Sequence, residues 1–185
     1  MRINFLCKGV LAAATLCVAP AALPAAPRAS QPGTGTLKPG KEAFASNASS
    51  LLQQVQNDAL RVRNNADQLE ARLREPFLND WESDGSLLER MRTRVNAMDK
   101  LLLQLRTNRS EALPWQQQAI DRIAPSVVNL SDTTQDAILS LNNNQGHIYA
   151  SNLGGLADHM YEEAKLIEQA IGNFEKSANA GHGGG

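Results

Sequence analysis

The sequence is poor in cysteine and in aromatic residues, and it carries no excess of charge of either sign. Its 185 residues include two Cys, two Trp, two Tyr and four Phe. Two cysteines are too few for a disulfide scaffold or a four-ligand zinc site. The 18 Lys and Arg residues nearly balance the 19 Asp and Glu residues, which excludes a polybasic nucleic-acid tail and an acidic solvating chain. A hydrophobic content of 42% is still enough for the core of one domain.

Motifs of nucleophilic, phosphate-binding and metal-dependent catalysis are also missing. The sequence has no Gly-x-Ser-x-Gly elbow, no glycine-rich phosphate loop and no His-Glu-x-x-His pair. Glu162 and Glu163 are adjacent carboxylates, but neighbouring residues of a helix point to different faces and do not converge on one substrate. The sequence therefore predicts a protein that is not an enzyme.

The first 29 residues have the three parts of a secretory signal peptide. Arg2 and Lys8 make the start cationic, residues 10–18 form an apolar run, and small residues follow up to Ala29. The apolar run is shorter than the roughly 20 residues that a membrane-spanning helix needs; an uncleaved N-terminal anchor is the alternative. We expect export to the periplasm or the extracellular space, with cleavage after Ala29 or as early as after Ala21.

Cleavage changes the counts of cysteine and of charge. Cys7 and Cys17 both lie in the predicted signal peptide, so the mature chain has no cysteine. Removal of residues 1–29 leaves 15 basic and 19 acidic residues and a net charge of −4, whereas cleavage after Ala21 retains Arg28 and gives −3. We expect a mildly acidic domain that is stabilised by helix packing without disulfide bonds.

Beyond the signal peptide, four segments carry apolar residues at alternating three- and four-residue intervals. This heptad spacing places them on one seam of a helix, and no segment shows the period of two that a half-buried strand requires. The four predicted seams are Leu52, Val55, Ala59, Val62, Ala66, Leu69, Leu73; Leu88, Met91, Val95, Met98, Leu102, Leu105; Ile120, Ile123, Val127, Leu130, Thr134, Ala137, Leu141; and Leu153, Leu156, Met160, Glu163, Ile167, Ala170, Phe174. Short connections favour antiparallel neighbours, so the sequence predicts an all-α, up-down-up-down antiparallel four-helix bundle with heptad-like packing.

Proline, glycine and capping residues set the predicted limits of the bundle. From the composition we predict a flexible linker over residues 30–43, the helical bundle over residues 44–177 and a disordered Gly-rich tail over residues 178–185. The Ser86 to Glu89 pattern predicts a capping box at the start of the second helix. Pro125 lies inside the third segment, where we expect a kinked helix.

Two predicted connections bring aromatic and imidazole side chains to one end of the bundle. Phe77 and Trp81 belong to the first connection, and His147 and Tyr149 belong to the third. Such a group, beside three consecutive asparagines, is typical of a surface that binds a ligand or partner. We call these four residues the end cluster. The interpretation favoured for Phe77 and Trp81 themselves is that they close the open end of the apolar core.

His159 is the candidate for a metal or cofactor site. It lies on the flank of the fourth seam, four residues before Glu163, and Met98 is expected at a similar height on the second helix. A di-iron site needs Glu-x-x-His pairs, which the sequence lacks, whereas His and Met are ligand types that hold haem iron. The favoured interpretation is a partly exposed His159–Glu163 pair in a protein without a cofactor.

Basic residues are frequent on the second predicted helix. Arg90 and Arg94 share one face there, and Arg61 and Arg63 add charge on the first helix. This pattern is typical either of contact with a polyanion or anionic lipid or of an ordinary solvated helix face. Acidic residues such as Asp99 lie among the basic ones, which favours the solvated face.

These observations predict an exported, non-catalytic helical bundle that binds another component of the cell envelope or extracellular space, or associates with itself. Nucleic acid is not an expected partner, and membrane contact is not indicated. One alternative is a small cofactor- or metal-binding bundle centred on His159. Another is a chaperone-like or lipid-contacting bundle whose helices open, which predicts rapid hydrogen exchange in the third helix near Pro125.

Overall fold

Four α-helices make up most of the described chain. The computed structural model describes residues 39–75, 80–145, 147 and 151–182. The helices are α1 (Pro39–Leu73), α2 (Trp81–Thr107), α3 (Pro114–Asn143) and α4 (Leu153–His182), and a short 3-10 helix (Arg109–Glu111) lies between α2 and α3. These ranges contain no strand, so the predicted all-α class is confirmed. The predicted signal peptide lies outside them.

The helices pack against one another around an apolar core. α1 packs against α2 and α4, and α3 packs against the same two helices. Each helix contributes large side chains that are almost completely shielded from solvent, such as Leu52, Met91, Ile123 and Met160. Because the described ranges contain no cysteine, burial of this apolar surface, at about 25 cal/mol per Å², is the main source of their stability. None of the helices in these ranges is long and apolar enough to cross a bilayer.

The predicted seams of the first three helices coincide with the buried side chains. Every predicted seam residue of α2 and α3 is buried, and in α1 only Leu73 is partly exposed. The buried line of α4 differs from the prediction, because Ala157 is buried where Leu156 was expected and Ile171 is buried beside the partly exposed Ala170. The apolar face of a helix with 3.6 residues per turn shifts gradually away from positions that repeat every seven residues. In α4 this shift places Ala157 and Ile171 in the core.

Two helix ends lie outside the limits that composition predicts. α1 begins at Pro39, within the segment 30–43 expected to be a linker. Proline is favoured in the first turn of a helix, where its missing N–H is not needed for an intrahelical bond. α4 continues to His182, beyond residue 177. Ala178 and Ala180 have the highest helix propensity of all residue types, which favours this extension.

The start of α2 lies five residues before the predicted capping box. The Asp80 carboxylate accepts hydrogen bonds from the Glu82 amide at 3.2 Å and from the Ser83 hydroxyl at 2.5 Å. It therefore satisfies free donors of the first turn, and Ser86 lies inside the helix. The Ser83 hydroxyl is the main cause of a lowered pKa of the Asp80 carboxyl, because its hydrogen bond favours the charged form.

α3 continues through Pro125, which is exposed. Ile123 and Val127 on either side of it are fully buried. The backbone donor that proline lacks is therefore missing on the solvent side of the helix, where water can satisfy the free carbonyl group.

A buried glutamine connects the start of α3 to α1. The Gln116 amide nitrogen donates to the Ala45 carbonyl at 2.7 Å and to the Ser49 hydroxyl at 2.9 Å. Its carbonyl oxygen accepts from the Leu113 amide at 2.8 Å. Because buried polar groups are costly unless hydrogen-bonded, this set fixes the position of α3 relative to α1 at that end of the fold.

Candidate functional sites

The end cluster is described in part. Trp81 is the first residue of α2, and 43% of it is exposed. His147 lies between α3 and α4 with its side chain exposed, and its amide donates to the Asn144 carbonyl at 2.8 Å. Phe77 and Tyr149 lie outside the described residues. The prediction that all four residues meet on one surface therefore stays a prediction.

The two tryptophans occupy different environments. Trp115, in the first turn of α3, is partly buried and packs against the apolar core. Trp81 is 43% exposed, although it lies three residues before the buried Asp84 and seven residues before the buried Leu88. Partly exposed tryptophan side chains are enriched among the residues that contribute most to binding at protein interfaces.

His159 is oriented by a hydrogen bond from α4 to α3. Its Nδ1 lies 3.1 Å from the Thr133 hydroxyl oxygen. The Thr133 hydroxyl donates its single proton to the Asn129 carbonyl at 2.8 Å. Nδ1 must therefore carry the proton and donate, which assigns the lone pair of the neutral ring to Nε2. The residue as a whole is exposed.

Glu163 occupies a core position and has one satisfied oxygen. Only 9% of the residue is exposed, and its Oε1 accepts a hydrogen bond from the Asn129 side chain at 3.1 Å. Its Oε2 is buried without a hydrogen-bond partner. His159 and Glu163 thus each contact a different residue of α3. A buried carboxylate oxygen without a donor is costly and marks the weakest point of this part of the core.

Met98 lies at a different depth from His159. It is fully buried among the apolar side chains of α2, whereas His159 is exposed. Within the described ranges, no group of three or more His, Cys, Asp or Glu residues is arranged to hold a metal ion.

A polar trough runs along the contact between α1 and α2. Its α1 side consists of Arg61, Asn64, Asn65, Gln68 and Arg72. Its α2 side consists of Ser83, Ser86, Leu87, Arg90, Thr93 and Arg94. On each helix the residues recur at intervals of three, four and seven positions from the first of the set, which places each set along one face. We call this feature the arginine trough; it spans about 16 Å, since eleven residues of helix rise by 1.5 Å each.

Only some of the basic residues belong to the trough. Arg92 pairs with Glu89 at 2.7 Å on the outer face of α2, and Arg63 pairs with Glu168 of α4 at 2.6 Å. Arg109 contacts the Asp121 carboxylate through two nitrogens, and these hydrogen bonds lower the pKa of the Asp121 carboxyl. Paired arginines therefore occur outside the trough and also inside it, where Arg72 pairs with Asp84 and Arg94 pairs with Asp58.

Three buried polar residues, Asp84, Gln116 and Thr133, were missed by the sequence patterns. Asp84 is completely buried and accepts a hydrogen bond from Arg72 Nε at 2.7 Å. The spacing of Asp84 three residues before the buried Leu87 was a usable signal, because it places the carboxylate on the apolar side of α2. The partner of Gln116 is 71 residues away along the chain, and no local pattern points to it.

Comparison of the chain with protein-family models, with curated proteins and with solved structures gives no match.

Proposed function

We propose that this is an exported, non-catalytic four-helix bundle protein that binds another protein of the cell envelope or extracellular space, or a second copy of itself. The observation that carries the proposal is the exposed Trp81 at the start of α2. Tryptophan is enriched among the residues that contribute most of the binding energy at protein interfaces, and 43% of Trp81 is accessible to a partner. The working surface in this proposal is the end cluster.

The bundle in this proposal has up-down-up-down antiparallel topology. Its support is the order of contacts along neighbouring helices. Asp58 of α1 pairs with Arg94 of α2, and the later residue Arg72 pairs with the earlier residue Asp84. The hydrogen bonds between α3 and α4 follow the same rule: Asn129 contacts Glu163, and Thr133 contacts His159. This topology places the connections that carry Trp81 and His147 at one end.

Site-specific photo-crosslinking in the native host tests the binding surface. A photoreactive amino acid replaces Trp81 in one variant and Leu166 in the control variant. Leu166 is exposed to a similar degree on α4, at 47% against 43%. We expect one dominant crosslinked species from position 81, and its mass distinguishes a second copy of the chain from another protein. Equal crosslinking at both positions, or none at position 81, contradicts the proposal.

Export is supported by the three-part pattern of residues 1–29 and is tested separately. The host cells are fractionated, and the intact mass of the protein is measured in each fraction. We expect a processed chain, beginning after a residue between Ala21 and Ala29, in the periplasmic or extracellular fraction. An unprocessed chain in the cytoplasmic fraction contradicts export without affecting the crosslinking result.

A second candidate function is metal binding centred on His159. It is favoured by the exposed His159 ring, whose Nδ1 is hydrogen-bonded to Thr133, so that the lone pair of Nε2 is the candidate ligand. Metal analysis and an absorption spectrum of protein purified from its native host test it. Stoichiometric metal or a haem band that disappears in His159→Ala supports this candidate over the binding protein, and a colourless, metal-free protein contradicts it.

A further inference from the structure

The arginine trough concentrates positive charge on an acidic domain. Residues 39–182 contain 14 Lys and Arg against 19 Asp and Glu, yet none of the described residues that line the trough is acidic. A basic surface on an acidic protein does not follow from composition, because random placement would mix the two signs. We expect this local excess of positive charge to attract anions toward this face of the molecule.

Three arginines at one end of the trough are available to a ligand. Arg61 and Arg90 are exposed and form no hydrogen bond or ion pair with the rest of the described chain. Arg94 is held by Asp58 at 3.1 Å, but its side chain is 43% exposed against 13% for the aspartate. The carboxylate thus lies behind the guanidinium group and fixes it toward solvent. Three guanidinium groups that line one pocket are suited to bind a carboxylate, sulfate or phosphate group with paired hydrogen bonds.

The opposite end of the trough is polar but close to neutral. Arg72 is paired with the buried Asp84, and its charge also lowers the pKa of Asp80, after the Ser83 hydrogen bond. Amide and hydroxyl groups of Gln68, Ser83 and Ser86 line the rest of this end. These uncharged groups donate and accept hydrogen bonds. A sugar hydroxyl group also donates and accepts, so it can bind to them.

The residues that line the arginine trough favour some classes of anionic ligand over others. No aromatic residue lines the trough within the described ranges, and stacking on aromatic rings is the usual source of affinity for single-stranded nucleic acid. The one apolar lining residue, Leu87, is 3% exposed and offers nothing to insert into a bilayer. An extended ligand with an anionic group at one end and neutral hydroxyl groups beside it satisfies both halves of the trough.

We infer that the arginine trough binds a segment of an acidic polysaccharide. An anionic sugar places its carboxylate or sulfate group between Arg61, Arg90 and Arg94, and the hydroxyl groups of the neighbouring sugar contact Gln68, Ser83 and Ser86. This site uses neither Trp81 nor His147, so it is independent of the end cluster and adds a second, carbohydrate ligand to the proposed protein-binding role.

Calorimetric titration of the full chain with defined oligomers tests the inference. The probes are a tetramer of galacturonate, a neutral malto-tetraose, a single-stranded oligothymidylate and vesicles of phosphatidylglycerol. We expect binding of the galacturonate tetramer that weakens with added salt, and no heat with the neutral tetramer. Absence of galacturonate binding, or tighter binding of the oligothymidylate or the vesicles, overturns the assignment to acidic polysaccharide.

Two charge-matched double variants locate the site. Arg61→Gln/Arg90→Gln removes two cations from the trough, and Lys100→Gln/Arg122→Gln removes two exposed cations elsewhere. We expect the first variant to lose about 100-fold in affinity, tenfold for each charge-assisted contact, and the second to lose less than about threefold. Equal losses contradict a specific site.

Chemical shifts of the Asn64 and Asn65 side-chain amides provide a readout in the unmodified protein. These amides lie between the arginines of the trough and should shift on addition of galacturonate. Shifts confined to another face overturn the proposal even if the double variants fold poorly.

Discussion

At the scale of single residues, the Arg72–Asp84 ion pair joins a partly exposed guanidinium group to an almost completely buried carboxylate. The Asp84 side chain is 1% exposed and that of Arg72 is 28% exposed, and Oδ2 of Asp84 has no hydrogen-bond partner. Loss of Arg72 leaves a buried carboxylate without its cation, whereas loss of the carboxylate leaves a guanidinium group that can reach water. We predict that Arg72→Met lowers the free energy of unfolding by about 3 kcal/mol and Asp84→Asn by about 1 kcal/mol, measured by urea denaturation.

Arg74 provides the matched control for this pair. It contacts Glu70 one helical turn away, and its side chain is 73% exposed. Exposed pairs of this kind contribute little, so Arg74→Met should change stability by less than about 0.5 kcal/mol. Equal effects of Arg72→Met and Arg74→Met would show that burial of Asp84 does not determine the strength of the contact.

Asp99 is a carboxylate that opposes folding at neutral pH. Burial raises the pKa of its carboxyl, the charge of Asp132 acts in the same direction, and a hydrogen bond with Ser131 acts against both. A raised pKa in the folded state means that stability falls as pH rises from the unfolded-state pKa, about 3.9, through the folded-state pKa. We predict that Asp99→Asn raises the free energy of unfolding at pH 7, by less than about 1 kcal/mol because the group is partly exposed to screening solvent.

The pH dependence distinguishes this explanation from a simple change of net charge. The gain from Asp99→Asn should be present at pH 7 and vanish below about pH 3.9, where Asp is protonated in both states. Asp136→Asn removes the same charge from an exposed position of α3 and serves as the control. Urea denaturation at several pH values provides the measurement, and a gain for Asp99→Asn that does not change with pH speaks against the burial effect.

At the scale of helices, α4 contains a glycine that faces a side chain of α1. A Cβ atom at Gly172 would lie 3.2 Å from Nε2 of Gln56, which donates to the Glu168 carbonyl at 3.2 Å. Alanine is favoured over glycine in a helix by about 1 kcal/mol, but here the gain is reduced because Gln56 must move. We predict that Gly172→Ala stabilises the protein by about 1 kcal/mol only in the Gln56→Ala background.

A double-mutant cycle by thermal unfolding measures this coupling. Gly154→Ala is the control, since a Cβ atom there meets nothing within 4 Å, and its effect should be the same with and without Gln56→Ala. If Gly172→Ala gives its full stabilisation with Gln56 in place, the contact between α1 and α4 is looser than the distance of 3.2 Å indicates.

The helices also show how far local patterns predict the fold. Heptad spacing predicts the buried faces of α1, α2 and α3, because that signal depends only on neighbours within two turns. It places Leu156 in the core of α4 where Ala157 is buried, since small residues give a weak apolar signal. The start of α2 was missed because Gly85 suggests a connection, yet this glycine lies within the helix. A Cβ atom at Gly85 would lie 3.4 Å from Cδ2 of Leu141.

At the scale of the whole molecule, the candidate sites differ in how far apart along the sequence their residues lie. Trp81 is visible in the sequence, because an isolated tryptophan near a connection is a local feature. The arginine trough depends on the register of α1 against α2, which brings Arg61 and Arg90 to the same groove although they are 29 positions apart by their numbers. Sequence spacing alone cannot separate these two from Arg92 and Arg63, whose partners are acidic residues on α2 and α4.

The packing of α3 predicts that the whole fold opens as one unit. Ile123 and Val127, next to Pro125, are as completely buried as Met91 and Val95 of α2. Local opening near the proline would expose this core, so we predict that these four amides exchange hydrogen equally slowly and with the same urea dependence. Amides at the end of α4, from residue 178 onward, should exchange rapidly and provide the internal reference, because helix ends fray. Rapid exchange confined to α3 would instead favour the chaperone-like or lipid-contacting bundle whose helices open.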